Sequence, residues 1–431
     1  MPGGTAPDQP WLPALARLVA PRAAPDTSGM QTDINAFDPR HLPAEFYDDP
    51  YPTYHALRAA APVYRCPDGT FFLTRHADLD RVYRDPRVFS SDKQRQFRPV
   101  FGDSPLYEHH TTSLVFNDPP LHTHVRKAVG DALSPKAVAA MAASLEALVA
   151  RLLDSLPVDR PFDLVDDYAS VIPVEVIGNL LRVPHEERGP LRGWSAAILG
   201  ALEFGLDDVG RAAGNAAVTE FVDYLRGLIA VRRQHLSDAH DDVLSRLIQW
   251  ESKGERLSEH QLYHQCIFLL NAGHETTTNL IGNGVHALLE RPAALARLRA
   301  EPALLDRAVE EFLRFDSPVQ LGNRLVLADA EVGGVAIPAG STLTLCIGAA
   351  NRDPAVFARP DELLLDRHPN PQLAFGGGIH TCAGLHVARL EATIAIRALL
   401  QRFPRLASAG AGERAQRARF RGFMHLPVQA G

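Results

Sequence analysis

Cysteine is scarce in this chain: four residues in 431, namely Cys66, Cys266, Cys346 and Cys382, far apart and with no C-x-x-C pair. That spacing argues against a zinc module or a disulfide framework and fits a reducing cytoplasm. Each thiol is, by default, a small buried hydrophobe. Basic charge is also in short supply. With 44 Lys+Arg against 51 Asp+Glu, the formal net charge of −7 argues against nucleic acid or an anionic membrane surface as the main partner. No membrane span is expected. The charge-free run from Val332 to Asn351 has the length of one, but it carries Gly333-Gly334, Pro338, Gly340 and the alternation Ser341-Thr342-Leu343-Thr344-Leu345. It reads as turns and a strand. A signal peptide is not expected either, because no basic residue precedes the apolar patch from Trp11 to Val19, which Arg17 interrupts. No linker rich in Gly and Ser follows Ala36, and no repeat of solenoid or propeller period stands out.

What is present is a globular composition, 46% hydrophobic and 22% charged, with enough apolar mass for a large core. Length alone allows two or three domains. Residues 1–30, rich in Pro, Ala and Gly, read as a flexible extension, with Met30 a second candidate start. From Pro135 onward the apolar spacing is helical, first over Pro135 to Leu156. The longest helical stretch runs from Ser258 to Glu290, opened by a capping box of Ser258 and Gln261. Pro292 and Pro302 stand where two more helices would start. Val319 to Thr344 turns to β character, and Ala383 to Phe403 returns to helix. The expected class is mainly α with small β-sheets.

The most informative stretch is Phe375-Gly376-Gly377-Gly378-Ile379-His380-Thr381-Cys382-Ala383-Gly384. Three successive glycines free the backbone just before a cysteine at the head of a helix. Such a loop can aim N–H groups at the sulfur, and the helix N-terminus favours negative charge there, so the thiol pKa is expected to fall. A lone thiolate suits the axial position of a haem iron. A glycine turn that happens to precede a buried cysteine is the other reading.

The stretch fits F-G-x-G-x-H-x-C-x-G and resembles the haem-thiolate loop of the cytochrome P450 family. The resemblance implies that Cys382 is the axial iron ligand, that Phe375 lies against the sulfur and that His380 lies near a haem propionate. Gly376 and Gly384 join them as cofactor-binding positions.

Three other stretches follow the same pattern. Ala272-Gly273-His274-Glu275-Thr276-Thr277 lies inside the long helix, where a glycine costs about 1 kcal/mol and invites a local widening of the hydrogen-bond ladder. It is similar to the family's A-G-x-[DE]-T-[TS], which implies that Glu275 and Thr276 form the acid–alcohol pair that delivers protons during dioxygen activation. Glu311-Phe312-Leu313-Arg314 puts opposite charges three apart on one helix face, commonplace in isolation. It resembles the family's E-x-x-R core ion pair, with Arg367 the candidate third partner. Asp118-Pro119-Pro120-Leu121-His122-Thr123-His124-Val125-Arg126 places His122 and Arg126 on one face, as a solvated surface or as carboxylate ligands. It looks like the family's D-P-P-x-H-x-x-x-R, whose His and Arg contact the haem propionates; Arg324 falls where the family has another propionate arginine.

Taken together, the resemblance covers about Ala36 to the C-terminus and implies a single large haem domain over residues 31–431, in the style of soluble bacterial members. It implies a monooxygenase that binds heme b, uses O2, and inserts one oxygen atom into a C–H bond of a small hydrophobic substrate. Electrons would come from NAD(P)H through a separate ferredoxin and ferredoxin reductase, because no other stretch could house a flavin or an iron–sulfur cluster. The expected protein is a cytoplasmic monomer. A peroxide-driven enzyme and a haem carrier without turnover are the rivals, and the retained Glu275 and Thr276 weigh against both. Family topology suggests a substrate pocket lined by Phe97, Phe101, Phe204, Ala272, Gly273, Val319, Gln320 and Met424, with Phe423 nearby. Lys93, Arg95 and Arg98 read as a solvated loop rather than as an anchor for a carboxylate.

Overall fold

Ser258 accepts the Gln261 N–H while the Gln261 side chain accepts the Ser258 N–H, and this capping box opens the longest helix, Glu259–Leu289. The computed structural model describes residues 34–236, 242–252 and 254–431, so the extension expected over 1–30, with Met30, lies outside the described residues. The helices that build the site are α1 (Pro105–Thr112), α2 (Leu121–Ala132), α3 (Val171–Leu180), α4 (Asp208–Gln234), α5 (Glu259–Leu289), α6 (Leu305–Phe315) and α7 (Leu385–Arg402). Helix α5 is the axis of the molecule. It packs on α3, α4, α6 and α7, and buries Leu270, Ile281, Val285 and Leu288 among them.

The helix expected over Pro135 to Leu156 is two, Pro135–Ala139 and Ala142–Ser155. At the break the Ser144 hydroxyl donates to the Met141 carbonyl at 2.8 Å. Helix α5 in turn shows no widening at Gly273. A Cβ there would stand 2.7 Å from Ile177 Cδ1, so this glycine serves the close approach of α3.

The larger sheet has five strands, β1 (Val63–Arg65), β2 (Phe71–Leu73), β3 (Phe89–Ser90), β4 (Leu321–Val326) and β5 (Thr342–Cys346). Their order is β1-β2-β5-β4-β3, with β5 parallel to β2 and the other pairs antiparallel. Strand β4 leads the chain from α6 along the cavity, which positions Arg324. The architecture is mainly helical with small sheets, as the sequence implies. Among the described residues no helix is long and apolar enough to cross a membrane.

Candidate active site

Helix α5 and the cysteine loop face each other across an internal cavity of about 380 Å³. The loop's shape depends on glycine. Gly376 and Gly378 have φ of +65° and +64°, and a Cβ on Gly378 would stand 2.1 Å from the Tyr83 carbonyl oxygen. The Cys382 N–H closes the loop on the Phe375 carbonyl at 2.9 Å. Phe375, Gly376, His380, Cys382 and Gly384 all line the cavity.

The thiol differs from expectation. Helix α7 begins only at Leu385, so Cys382 precedes the first turn. Burial pushes the thiol above its usual range, and the Gly384 N–H, Arg126 and Arg389 offset this only in part. A half-buried thiol raised in this way is held as a thiolate by a cation bound to its sulfur, which suits an iron ligand.

The opposite chemistry lies elsewhere on the same cavity. His122 Nε2, His380 Nε2 and Lys93 Nζ are buried without a hydrogen-bond partner, and Arg126 and Arg324 line the cavity beside them. The His122 and His380 rings are 4.2 Å apart, while Asp118 Oδ1 comes no closer to His380 Nε2 than 4.0 Å. Burial, then Arg324, hold Lys93 well below the ordinary lysine range, and burial with Arg324 takes His380 down to about 2. A cluster of basic groups held this far below their ordinary ranges takes up its charge when buried anions join it. Haem, with two carboxylates and an iron, fits both halves of the cavity. Lys93 therefore corrects the expectation of a solvated loop. It is 1% exposed, and nothing in its local sequence signals that.

On α5, Ala272, Gly273 and Thr276 face the cavity. The Thr276 hydroxyl donates to the Ala272 carbonyl at 2.7 Å, leaving its oxygen free to accept a further bond. Glu275 points elsewhere, paired with both carboxylate oxygens on Arg417 Nη1 at 2.6 and 2.7 Å. No sequence pattern singled out Arg417. Behind the loop, Glu311, Arg314 and Arg367 form the ion triad expected of them, with Arg367 Nε 3.0 Å from Glu311 Oε2.

Of the expected pocket residues, Phe97 and Val319 line the cavity with the α5 positions; Phe101, Phe204, Gln320 and Met424 do not. Phe101 is buried edge-on against Phe97, and Phe204 lies beneath the Arg419 guanidinium. The Gln320 amide is tied to the Ser317 carbonyl at 2.8 Å and packs against Gly348. Met424, on the short strand Phe423–His425, is half-buried away from the cavity. The wall beside α1 and α5 also carries the polar side chains of His109, His110 and Asn271, which the sequence reading did not single out.

Glu391 was also missed, although it shares a face of α7 with Val387 and Ile394. It lines the cavity, is 2% exposed, and its Oε2 has no partner. Burial pushes its carboxyl from 4.5 up to about 8. Below pH 4.5 the group is protonated folded and unfolded alike. As pH rises from there toward about 8 only the unfolded chain sheds the proton, so the fold loses stability across that window. Glu391→Gln is therefore expected to gain on the wild type by about 1 kcal/mol per pH unit between pH 6 and 8. Urea denaturation of both holoproteins at the two pH values checks this, and parallel pH dependence would reject it.

The cytochrome P450 family model matches residues 209–424. Vitamin D(3) 25-hydroxylase of Pseudonocardia autotrophica is 39% identical over 394 residues, 90% of this chain and 95% of that protein. Cytochrome P450 monooxygenase PikC of Streptomyces venezuelae is 37% identical, over 85% of this chain and 86% of that one. Among solved structures, P450BioI in complex with hexadec-9Z-enoic acid ligated acyl carrier protein matches with a TM-score of 0.83 at 33% identity. It covers 90% of this chain and 100% of that one.

Proposed function

This chain belongs to the cytochrome P450 family and is a haem-thiolate monooxygenase, and from that premise we propose the roles of its residues, its substrate class and its electron supply. The observation that carries the assignment is one cavity with a half-buried cysteine on its wall and unpartnered basic side chains at its edge. Cys382 binds the iron. His122, Arg126, Arg324, His380 and Lys93 hold the two propionates. When bound, haem supplies an iron at which dioxygen is reduced and split, one oxygen atom passing to a C–H bond and the other to water.

The other residues exclude water and handle protons. Leu199, Leu202, Phe268, Leu269 and Val319 make the distal wall apolar, which favours a hydrophobic guest. His109, His110 and Asn271 offer that guest a few polar contacts. Burial holds His110 down to about 3, so it meets the substrate as a neutral imidazole. Thr276 presents its hydroxyl oxygen at the cavity, and Glu275 relays protons to it from the outside once it leaves Arg417. Among the described residues, Cys66, Cys266 and Cys346 belong to no group of three ligating side chains that could hold a cluster. Electrons therefore come from a ferredoxin and its reductase, fed by NAD(P)H. The protein works as a cytoplasmic monomer, a setting that suits its four free thiols.

Thr276→Ala tests the relay. The variant is expected to consume NAD(P)H while yielding about tenfold less oxidised product per NAD(P)H, with the difference appearing as hydrogen peroxide. Unchanged coupling would remove Thr276 from the mechanism. Turnover of the wild type with hydrogen peroxide equal to that with ferredoxin and reductase would replace the monooxygenase reading by a peroxide-driven one.

A further inference from the structure

Helices α1 and α5 bring three ligating side chains together outside the cavity. His260 and His264 stand four apart on α5, hence on one face, and Glu108 of α1 meets them there. One ligand atom from each lies within 4.8 Å of the other two. His260 Nε2 contacts Glu108 Oε1, and the His260 and His264 rings are 4.4 Å apart. Glu108 and His260 are open to solvent, their side chains 55% and 45% exposed. His264 is 2% exposed, and its Nδ1 has no hydrogen-bond partner.

Two imidazoles and a carboxylate with an open outward side form a donor set for zinc, in which three protein ligands and a water complete a tetrahedron. Ligand atoms about 2.0 Å from zinc stand about 3.3 Å from each other, so no pair of these side chains has to close in by more than about 1.5 Å, and the Glu108–His260 pair only opens slightly. We propose that Glu108, His260 and His264 form a zinc-binding site that ties α1 to the start of α5.

The site bears on the cavity through α1. The residues after Glu108, His109 and His110, line the cavity, and the His109 ring lies 5.5 Å from that of His264. A zinc ion that joins the two helices fixes this part of the roof and slows exchange of a bound guest.

Calorimetric titration of the holoprotein with zinc chloride tests the site, with Glu108→Gln and His260→Gln as variants. Both positions are exposed, so the variants fold. One equivalent of zinc is expected to bind the wild type at least tenfold more tightly than either variant, and its zinc X-ray absorption is expected to report two nitrogens and two oxygens. Isotherms that do not differ among the three proteins would overturn the proposal, as would a zinc spectrum without imidazole scattering.

Discussion

Cys382→Ala is expected to abolish monooxygenase turnover, with a loss of roughly a thousandfold or more, while the chain still folds. The loop does not depend on the sulfur for its shape. The backbone bond from the Cys382 N–H to the Phe375 carbonyl survives the substitution, and so do the positive φ values at Gly376 and Gly378. Haem is retained in part, because Lys93, His122, Arg126, Arg324 and His380 still meet its carboxylates. What disappears is the anionic ligand that pushes electron density toward O–O cleavage. The reduced, carbon monoxide-treated variant should therefore lose the absorption band typical of thiolate ligation, and product formation with ferredoxin, its reductase and NAD(P)H should fall to background. A variant whose carbon monoxide spectrum matches the wild type would show that another residue binds the iron.

The readable part of this site lies where chemistry and local backbone geometry coincide. The cysteine loop is such a case, since the glycines that the turn demands stand beside the ligand they shape. The long helix is another, with its capping box at Ser258 and Gln261 visible as a four-residue pattern. Contacts made across the fold left no local trace. Lys93 is a lysine in a polar run, and only the arrival of β4 with Arg324 and of His380 makes it part of a cation cluster. Arg417 reaches Glu275 from 142 positions away. The pocket wall fails for a related reason: neighbours compete for each side chain. Gln320 sits beside the cavity-lining Val319 and Leu321, yet Ser317 claims its amide. For the Cys382 thiol, the sequence shows the loop and the helix behind it but not the surroundings that desolvate the sulfur, and those decide its protonation.

The second large effect concerns stability. Glu311→Ala is expected to cost about 3–5 kcal/mol, because it leaves buried cations without a counter-charge. From spacing alone, Glu311 and Arg314 would be a helix pair worth a few tenths of a kcal/mol. Their burial changes that scale, for both are 0% exposed. Arg314 Nε and Nη2 each donate to a Glu311 oxygen at 2.8 Å, Arg367 Nε donates at 3.0 Å, and the Leu364 N–H donates at 2.9 Å. Arg314 also binds the Asn351, Pro360 and Glu362 carbonyls, which ties α6 to the chain that leads into the cysteine loop. Burial lowers the Arg314 pKa and Glu311 counters it, so alanine at 311 turns a satisfied guanidinium into a buried charge with only carbonyl partners. Glu310 is the control. It lies on the same helix as Glu311 and pairs with Arg389 of α7 at 2.6 Å, but the two side chains are 27% and 37% exposed, and Glu310→Ala is expected to cost less than about 1 kcal/mol. Urea midpoints of the two variants at one pH separate these cases. Equal midpoints would mean that the buried triad holds the loop no more firmly than a surface pair does, and the haem content of Glu311→Ala would then match that of the wild type instead of falling with stability.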